Sequence, residues 1–152
     1  MRLALYQPDI PQNTGTILRT AACLDTPVDI IGPTGFDMSD KALRRSGMDY
    51  LQHVQITRHL DWDAFLSTKG EQRLVLLTAH ASKSYTGFKF SSADIIVLGR
   101  ESAGAPQSVH DAADARLLIP MHPDRRSLNI AVAAAMVLGE ALRQTKLFPA
   151  FK

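Results

Sequence analysis

Apolar runs of strand length alternate along this chain with helix-like segments, and that alternation predicts an α/β domain. The expected core is a mostly parallel sheet flanked by helices, since parallel strands need crossover connections. Three observations carry the prediction: strand-length runs at 3–6, 28–31, 74–77 and 95–98; helical spacing of apolar residues between them; and a length of 152 residues, which suits one domain. The chain holds no internal repeat, low-complexity segment or linker.

Each element has a local reason. Residues 3–6 (LALY) read as a buried strand ended by Pro8 and Pro11. Asn13 or Thr14 is expected to cap a helix carrying Ile17, Leu18, Ala21, Ala22 and Leu24. A second strand at 28–31 closes at Gly32-Pro33. Ser39-Asp40 is expected to cap a short helix through about Arg45, with a strand at 54–57 and a helix at 61–66 after it. Strands follow at 74–77, 95–98 and 116–119. From Ile130 to Leu138 every residue is apolar, so the helix opened by Ser127-Leu128-Asn129 must be covered on several sides. It is far short of the ~20 apolar residues that span a bilayer. The cover is therefore protein, from this chain, a partner subunit or both.

Composition narrows the class. Hydrophobic residues make up 45% of the chain, which excludes disorder as its main state. The formal charge is only +2, so nucleic-acid binding requires local clustering of the 17 Lys and Arg. The single cysteine, Cys23, sits among Ala21, Ala22 and Leu24 and is expected to be a buried, inert thiol in a reducing compartment. The amino terminus lacks the apolar core of a signal peptide, and no transmembrane run occurs, so a cytoplasmic location is expected. The five histidines show no metal-binding spacing, and no metal is expected.

In a sheet of this kind ligands sit at the carboxyl ends of the strands, here residues 7–15, 78–81, 99–106 and 120–129. Asn13-Thr14-Gly15 with Arg19 places a bidentate cation one turn beyond a helix start, either a phosphate or carboxylate donor or a solvated arginine. The loop Gly99-Arg100-Glu101-Ser102-Ala103-Gly104-Ala105-Pro106 fails the spacing of a hydrolase nucleophile elbow, because Gly99 lies three residues before Ser102. It also lacks both the dinucleotide fingerprint and a phosphate-cradling Gly-x-x-x-x-Gly-Lys. A loop wrapped around a ligand and a simple turn both remain open for it. Ser127 and Asn129 are equally readable as ligand contacts or caps. Lys41, Arg44 and Arg45 share one face of the expected helix, and Arg125-Arg126 add a second basic pair; phosphate tracking and solubility both account for them.

Taken together and in this order, the motifs resemble those of the knotted SpoU-type (SPOUT superfamily) RNA 2′-O-ribose methyltransferases. The first motif is Asn13-x-Gly15-x-x-x-Arg19, and the second is Gly99-x-Glu101-x-x-Gly104-x-Pro106. The third is Ile119-Pro120-Met121 with Ser127-Leu128-Asn129. The segments YQPDIPQNTG, GFDMSDKALRRSGMDY and PMHPDRRSLN look most like the small members that methylate the wobble ribose of tRNA. The resemblance implies one SPOUT domain over residues 1–152 without a separate RNA-binding extension, a deep carboxyl-terminal trefoil knot, and a homodimer formed through the last helix and the knot region. It implies S-adenosylmethionine as methyl donor and S-adenosylhomocysteine as product, with Leu77, Gly99, Ile119, Met121, Ser127 and Leu128 at the cofactor. The catalytic set is Arg19, Ser127 and Asn129. The substrate is the anticodon stem-loop of tRNA, at a wobble cytidine or modified uridine of leucine tRNAs, met by Asn13, Lys41, Arg44, Arg45, Arg125 and Arg126. The chain departs from the small wobble enzymes at Ala103, Ala131-Val132 and Gly139, where those have Arg, Ser-Asn and Tyr. A guanidinium stays protonated in proteins, so Arg19 is expected to orient the ribose hydroxyl and stabilise the developing oxyanion. A catalytically silent RNA-binding protein and a small-molecule enzyme on an ordinary doubly wound sheet are the competing readings.

Overall fold

The computed structural model describes residues 1–39, 53–125 and 127–150. Its strands are β1 (Arg2–Tyr6), β2 (Val28–Ile31), β3 (Ile56–His59), β4 (Leu74–Leu77), β5 (Lys83–Ser84), β6 (Ile95–Leu98) and β7 (Ala115–Leu118). The helices are α1 (Pro11–Cys23), α2 (Trp62–Thr68), α3 (Gln107–Ala112) and α4 (Ile130–Thr145). The strands pair in parallel in the order β3-β2-β1-β6-β4-β7-β5, as the alternating pattern predicts. The expected helix through Arg45 lies outside the described residues, as do Lys41, Arg44, Arg45 and Arg126.

Both faces of the sheet are covered, which is why its central strands are apolar throughout. Leu3, Leu5, Ile96 and Leu98 face one way, onto Ile17, Leu18 and Ala21 of α1 and Ala134, Val137, Leu138 and Ala141 of α4. Ala4, Tyr6, Ile95 and Val97 face the other way, onto Phe65 of α2 and Val109 of α3. Asp29, buried within β2, is held by Arg2 Nε at 3.1 Å and His59 Nε2 at 2.7 Å.

Several expectations are corrected. Helix α1 begins at Pro11 with Ile10 in the cap position, because proline is preorganised for the first turn and has no N–H to satisfy. Asn13 and Thr14 therefore lie inside the helix and do not cap it. Thr14 is buried and donates to the Ile10 carbonyl at 3.2 Å. Cys23 is exposed, since the last turn carries it off the Ile17–Leu18–Ala21 face. Strand β3 starts two residues later than expected and β7 one residue earlier. Strand β5 has only two residues, and α3 buries only Val109 and has no capping side chain, so neither leaves a periodic signal.

Of the two readings open for Asn129, ligand contact or cap, the fold shows it capping the last helix. Its cover is one-sided within this chain. Ala131, Ala134, Val137 and Leu138 are buried, whereas Val132 is 50% exposed and Met136 39%. Near its carboxyl end Gln144 ties the helix to the segment before β6. Its Oε1 accepts from the Phe90 amide and its Nε2 donates to the Phe88 carbonyl, each at 3.0 Å. An unsatisfied backbone group away from water costs ~1–3 kcal/mol. We expect Gln144→Ala to lower stability by about 2 kcal/mol, read as a shifted urea midpoint at unchanged slope. Gln144→Glu, which keeps the acceptor and loses the donor, should fall between that variant and the wild type.

Candidate active site at the ends of the parallel strands

A cavity of about 310 Å³ opens beyond the carboxyl ends of β4, β6 and β7, against the start of α4. That volume lies at the lower end of the ~300–1,000 Å³ typical of small-molecule sites. Leu77, Leu98, Ile119, Met121, Leu128 and Ile130 supply apolar wall, while Thr78, His80, Glu101, Asn13, Ser127 and Asn129 supply polar groups. The strands place these residues because a parallel sheet delivers every strand end, and its following loop, to one edge.

The 99–106 loop is a built turn. The Arg100 and Gly104 backbones exchange hydrogen bonds of 3.0 and 2.8 Å, which requires the positive φ of 68° at Gly104. The closure brings the loop back onto its own start, so that a Cβ on Gly99 would lie 2.6 Å from the Gly104 carbonyl carbon. Both glycines of the motif are thus required by backbone geometry, and the turn holds Glu101 toward the cavity.

Glu101 and Asp9 then pair across 92 residues of sequence. The Asp9 amide donates to Glu101 Oε2 at 3.2 Å, and the Glu101 amide donates to Asp9 Oδ1 at 3.1 Å. The Ser102 hydroxyl donates to Asp9 Oδ2, and Arg100 Nε lies 3.7 Å from the same oxygen. The hydrogen bond with Glu101, aided by Ser102, holds the Asp9 carboxyl down at about 2. Burial, with Asp9 beside it, pushes the Glu101 carboxyl up. Asp9 is accordingly the member of the pair that carries the charge most firmly.

A third tie completes the arrangement. Asn129 Oδ1 accepts from the amides of Ala131 at 2.8 Å and Val132 at 3.3 Å, which caps α4. Its Nδ2 donates to Asn13 Oδ1 at 2.8 Å. The loops after β1, β6 and β7 are therefore linked side chain to side chain.

All six residues expected at a cofactor, Leu77, Gly99, Ile119, Met121, Ser127 and Leu128, line this one cavity, together with Asn129. Asn13, expected at RNA, lines it too. Arg19 is exposed on α1 and is not among the described residues that line the cavity. Arg125 is exposed on the loop before α4. The sequence places the 78–81 loop at the ligand edge and Glu101 in the second motif, but it assigns no role at the site to Glu101 or to Thr78, Ala79 and His80. Glu101 had a signal, since it is the one acidic residue between two obligatory glycines, whereas Thr78 to His80 had none beyond following a strand. No group of three or more His, Cys, Asp or Glu able to hold a metal ion occurs among the described residues.

The model of the SpoU rRNA Methylase family matches residues 1–139. The chain belongs to that family. A relative from Beijerinckia indica, named tRNA (cytidine(34)-2′-O)-methyltransferase, is 59% identical over 93% of this chain and 90% of its own length. A solved structure addressing the 2-OH methylation of C/U34 on tRNA superposes with a TM-score of 0.86 at 40% identity, covering 94% of this chain and 89% of that one. The AdoMet-bound rRNA methyltransferase from Sinorhizobium meliloti superposes at 0.82 with 27% identity, covering 93% of this chain and 55% of that one. S-Adenosylmethionine is thus a ligand within this group of SpoU folds. Among the described residues no helix is long and apolar enough to cross a membrane.

The Asp9 environment has a measurable consequence. Its carboxyl falls from an ordinary 3.8 to about 2 on folding, so it contributes stability that is present above 3.8 and lost as pH falls through 2. We expect the melting temperature of Asp9→Asn to fall less steeply than that of the wild type between those pH values, in a thermal titration followed by circular dichroism.

Proposed function

We propose that this chain transfers a methyl group from S-adenosylmethionine to the ribose 2′-hydroxyl of the wobble nucleotide of tRNA, a cytidine or modified uridine of leucine tRNAs. The observation that carries this reading is the 59% identity over nearly the whole chain to an enzyme named for that reaction. The gathering of the cofactor set around one cavity supports it. So does the chemistry of the walls: apolar side chains suit an adenine ring, and loop backbone suits its polar edge. The absence of a Gly-rich phosphate loop is expected for a cofactor without phosphate.

When bound, the cofactor supplies a methyl already activated on sulfonium, which leaves the protein the tasks of alignment and of managing one proton. Leu77, Gly99, Ile119, Met121, Ser127 and Leu128 hold the donor in this reading. Ser127 and Asn129 stand where the donor and the ribose meet, and Arg19 orients the 2′-hydroxyl and stabilises its developing negative charge. Asn13, Lys41, Arg44, Arg45, Arg125 and Arg126 contact the anticodon stem-loop. Residues 1–152 act as one SPOUT domain with the family's trefoil knot, in the cytoplasm.

The homodimer belongs to the same proposal. Val132 and Met136, one turn apart on α4 and half-exposed, continue from Leu128 as an apolar stripe on the helix expected at the dimer axis. A charge placed there should prevent association: Val132→Glu is expected to run as a monomer in sedimentation, where the wild type runs as a dimer.

Methylation is tested by mass spectrometry of tRNA from a deletion strain, and by the purified protein with S-adenosylmethionine and that tRNA. A lost 2′-O-methyl at the wobble position, restored in vitro, is the expected result. Loss at a different tRNA or rRNA nucleotide would reassign the substrate. Cofactor binding in calorimetry without turnover on any RNA would leave a binding protein. Arg19→Lys should lower kcat/KM by roughly 100-fold, as expected for a lost oxyanion contact, and unchanged turnover would remove Arg19 from the chemistry.

A further inference from the structure

Among the described residues that line the cavity, Arg100 is the only lysine or arginine. Its guanidinium carries five N–H donors and is poorly supplied with acceptors. Nη1 donates to Gln7 Oε1 at 3.5 Å, long against the ~2.7–3.2 Å of an ordinary N–H···O bond. Nε is buried, has no hydrogen-bond partner among the described residues and lies 3.7 Å from Asp9 Oδ2. That oxygen already accepts from the Ser102 hydroxyl. Gln7 and Asp9 therefore hold the guanidinium in place without using up its donors. The two neighbouring carboxylates are occupied, since Asp9 and Glu101 each turn an oxygen to the other's amide. The closed turn between Arg100 and Gly104 fixes the backbone that carries the side chain.

Position selects the ligand group. Strand β6 lies between β1 and β4, and Arg100, which follows β6, makes both of its contacts to the loop after β1. The apolar wall of Leu77, Ile119, Met121 and Leu128 belongs to the ends of β4 and β7 and the approach to α4. The cation thus stands across the cavity from the wall suited to an adenine, on the side where α1 presents Asn13 and carries Arg19. A ribose entering from that side brings its own anion, because the 2′-hydroxyl and the 3′-phosphodiester sit on neighbouring carbons. A planar guanidinium with facing N–H groups matches the two non-bridging oxygens of that phosphate.

We propose that Arg100 binds the phosphodiester on the 3′ side of the ribose that is methylated. The inference rests on the reading of this cavity as the methyl-transfer site. A ribose held at its 3′-phosphate as well as at its hydroxyl loses the rotation that would carry the 2′-oxygen out of line with the methyl.

Two measurements test the contact. Arg100→Gln is expected to weaken binding of unmethylated tRNA about tenfold, the scale of one lost charge-assisted hydrogen bond. Its plot of log affinity against log salt should become shallower by ~0.7–0.9, one phosphate's share. Arg100→Lys keeps the charge, so it should keep the slope while losing part of the affinity. Binding of S-adenosylmethionine, measured by calorimetry, should be that of the wild type in both variants. The second measurement uses an RNA stem-loop containing the methylated nucleotide, with a neutral methylphosphonate in place of the phosphodiester 3′ to it. The wild type should bind this RNA about tenfold more weakly than the ordinary stem-loop, whereas Arg100→Gln should bind the two alike, both changes removing one contact. Should Arg100→Gln fail to fold, Arg100→Met keeps the buried stem and carries the same expectations. An unchanged salt slope, or an equal methylphosphonate loss in wild type and variant, would overturn the proposal. Weakened S-adenosylmethionine binding would overturn it as well, assigning the guanidinium to the cofactor's carboxylate. A wild-type protein that binds and methylates no RNA would instead overturn the reading of the cavity, a separate and recognisable result.

Discussion

The hydrogen bond from Asn129 to Asn13 joins the start of the last helix to the first turn of the first, 116 residues away in sequence. Most of what gives the site its shape depends on it. One side chain caps α4 with its oxygen and reaches α1 with its nitrogen, so helix initiation and site assembly are the same event. Asparagine suits this position because its amide offers an acceptor and donors on a short, two-torsion side chain. Aspartate would keep the cap and lose the donor, and serine would cap without reaching α1.

The sheet supplies the rigid background. The central parallel strands, apolar on both faces, commit their side chains to two cores and present their ends to a ligand. The loops that gather there were therefore legible from sequence before any motif was recognised. So were the strands at 28–31, 74–77 and 95–98, whose bounds match the sequence expectation, because short apolar segments in a two-sided core have no other use. Eight of the cavity residues, the six expected at the cofactor with Asn13 and Asn129, could be carried over from motif resemblance, since glycines and a cap leave marks at fixed spacing.

Other features left no mark, for physical reasons. Pro11 starts α1 by fixing a torsion, while Asn13 and Thr14 look equally good as caps on paper; only the fold reveals that neither is the cap and that Asn13 is bonded to Asn129. The exposure of Cys23 depends on how the final turn of α1 rotates, which its apolar neighbours misrepresent. The uniform apolarity of residues 130–138 signals burial without saying how much of it this chain provides. The Asp9–Glu101 pair was invisible because its members are 92 residues apart, and neither shows in local periodicity.

The strand order has a bearing on how such a chain is made. β1, made before the other strands, ends in the middle of the sheet between β2 and β6. Its β2 side can be satisfied early, but its other edge must wait for residues 95–98, and at ~5–20 residues per second of synthesis that wait lasts several seconds. Throughout it, a bare edge of alternating Leu3 and Leu5 stands beside an unfinished core. An unpaired strand edge of this kind is open to pairing with other chains until β6 closes it. The last helix, which covers one face, can dock only after all seven described strands have been made.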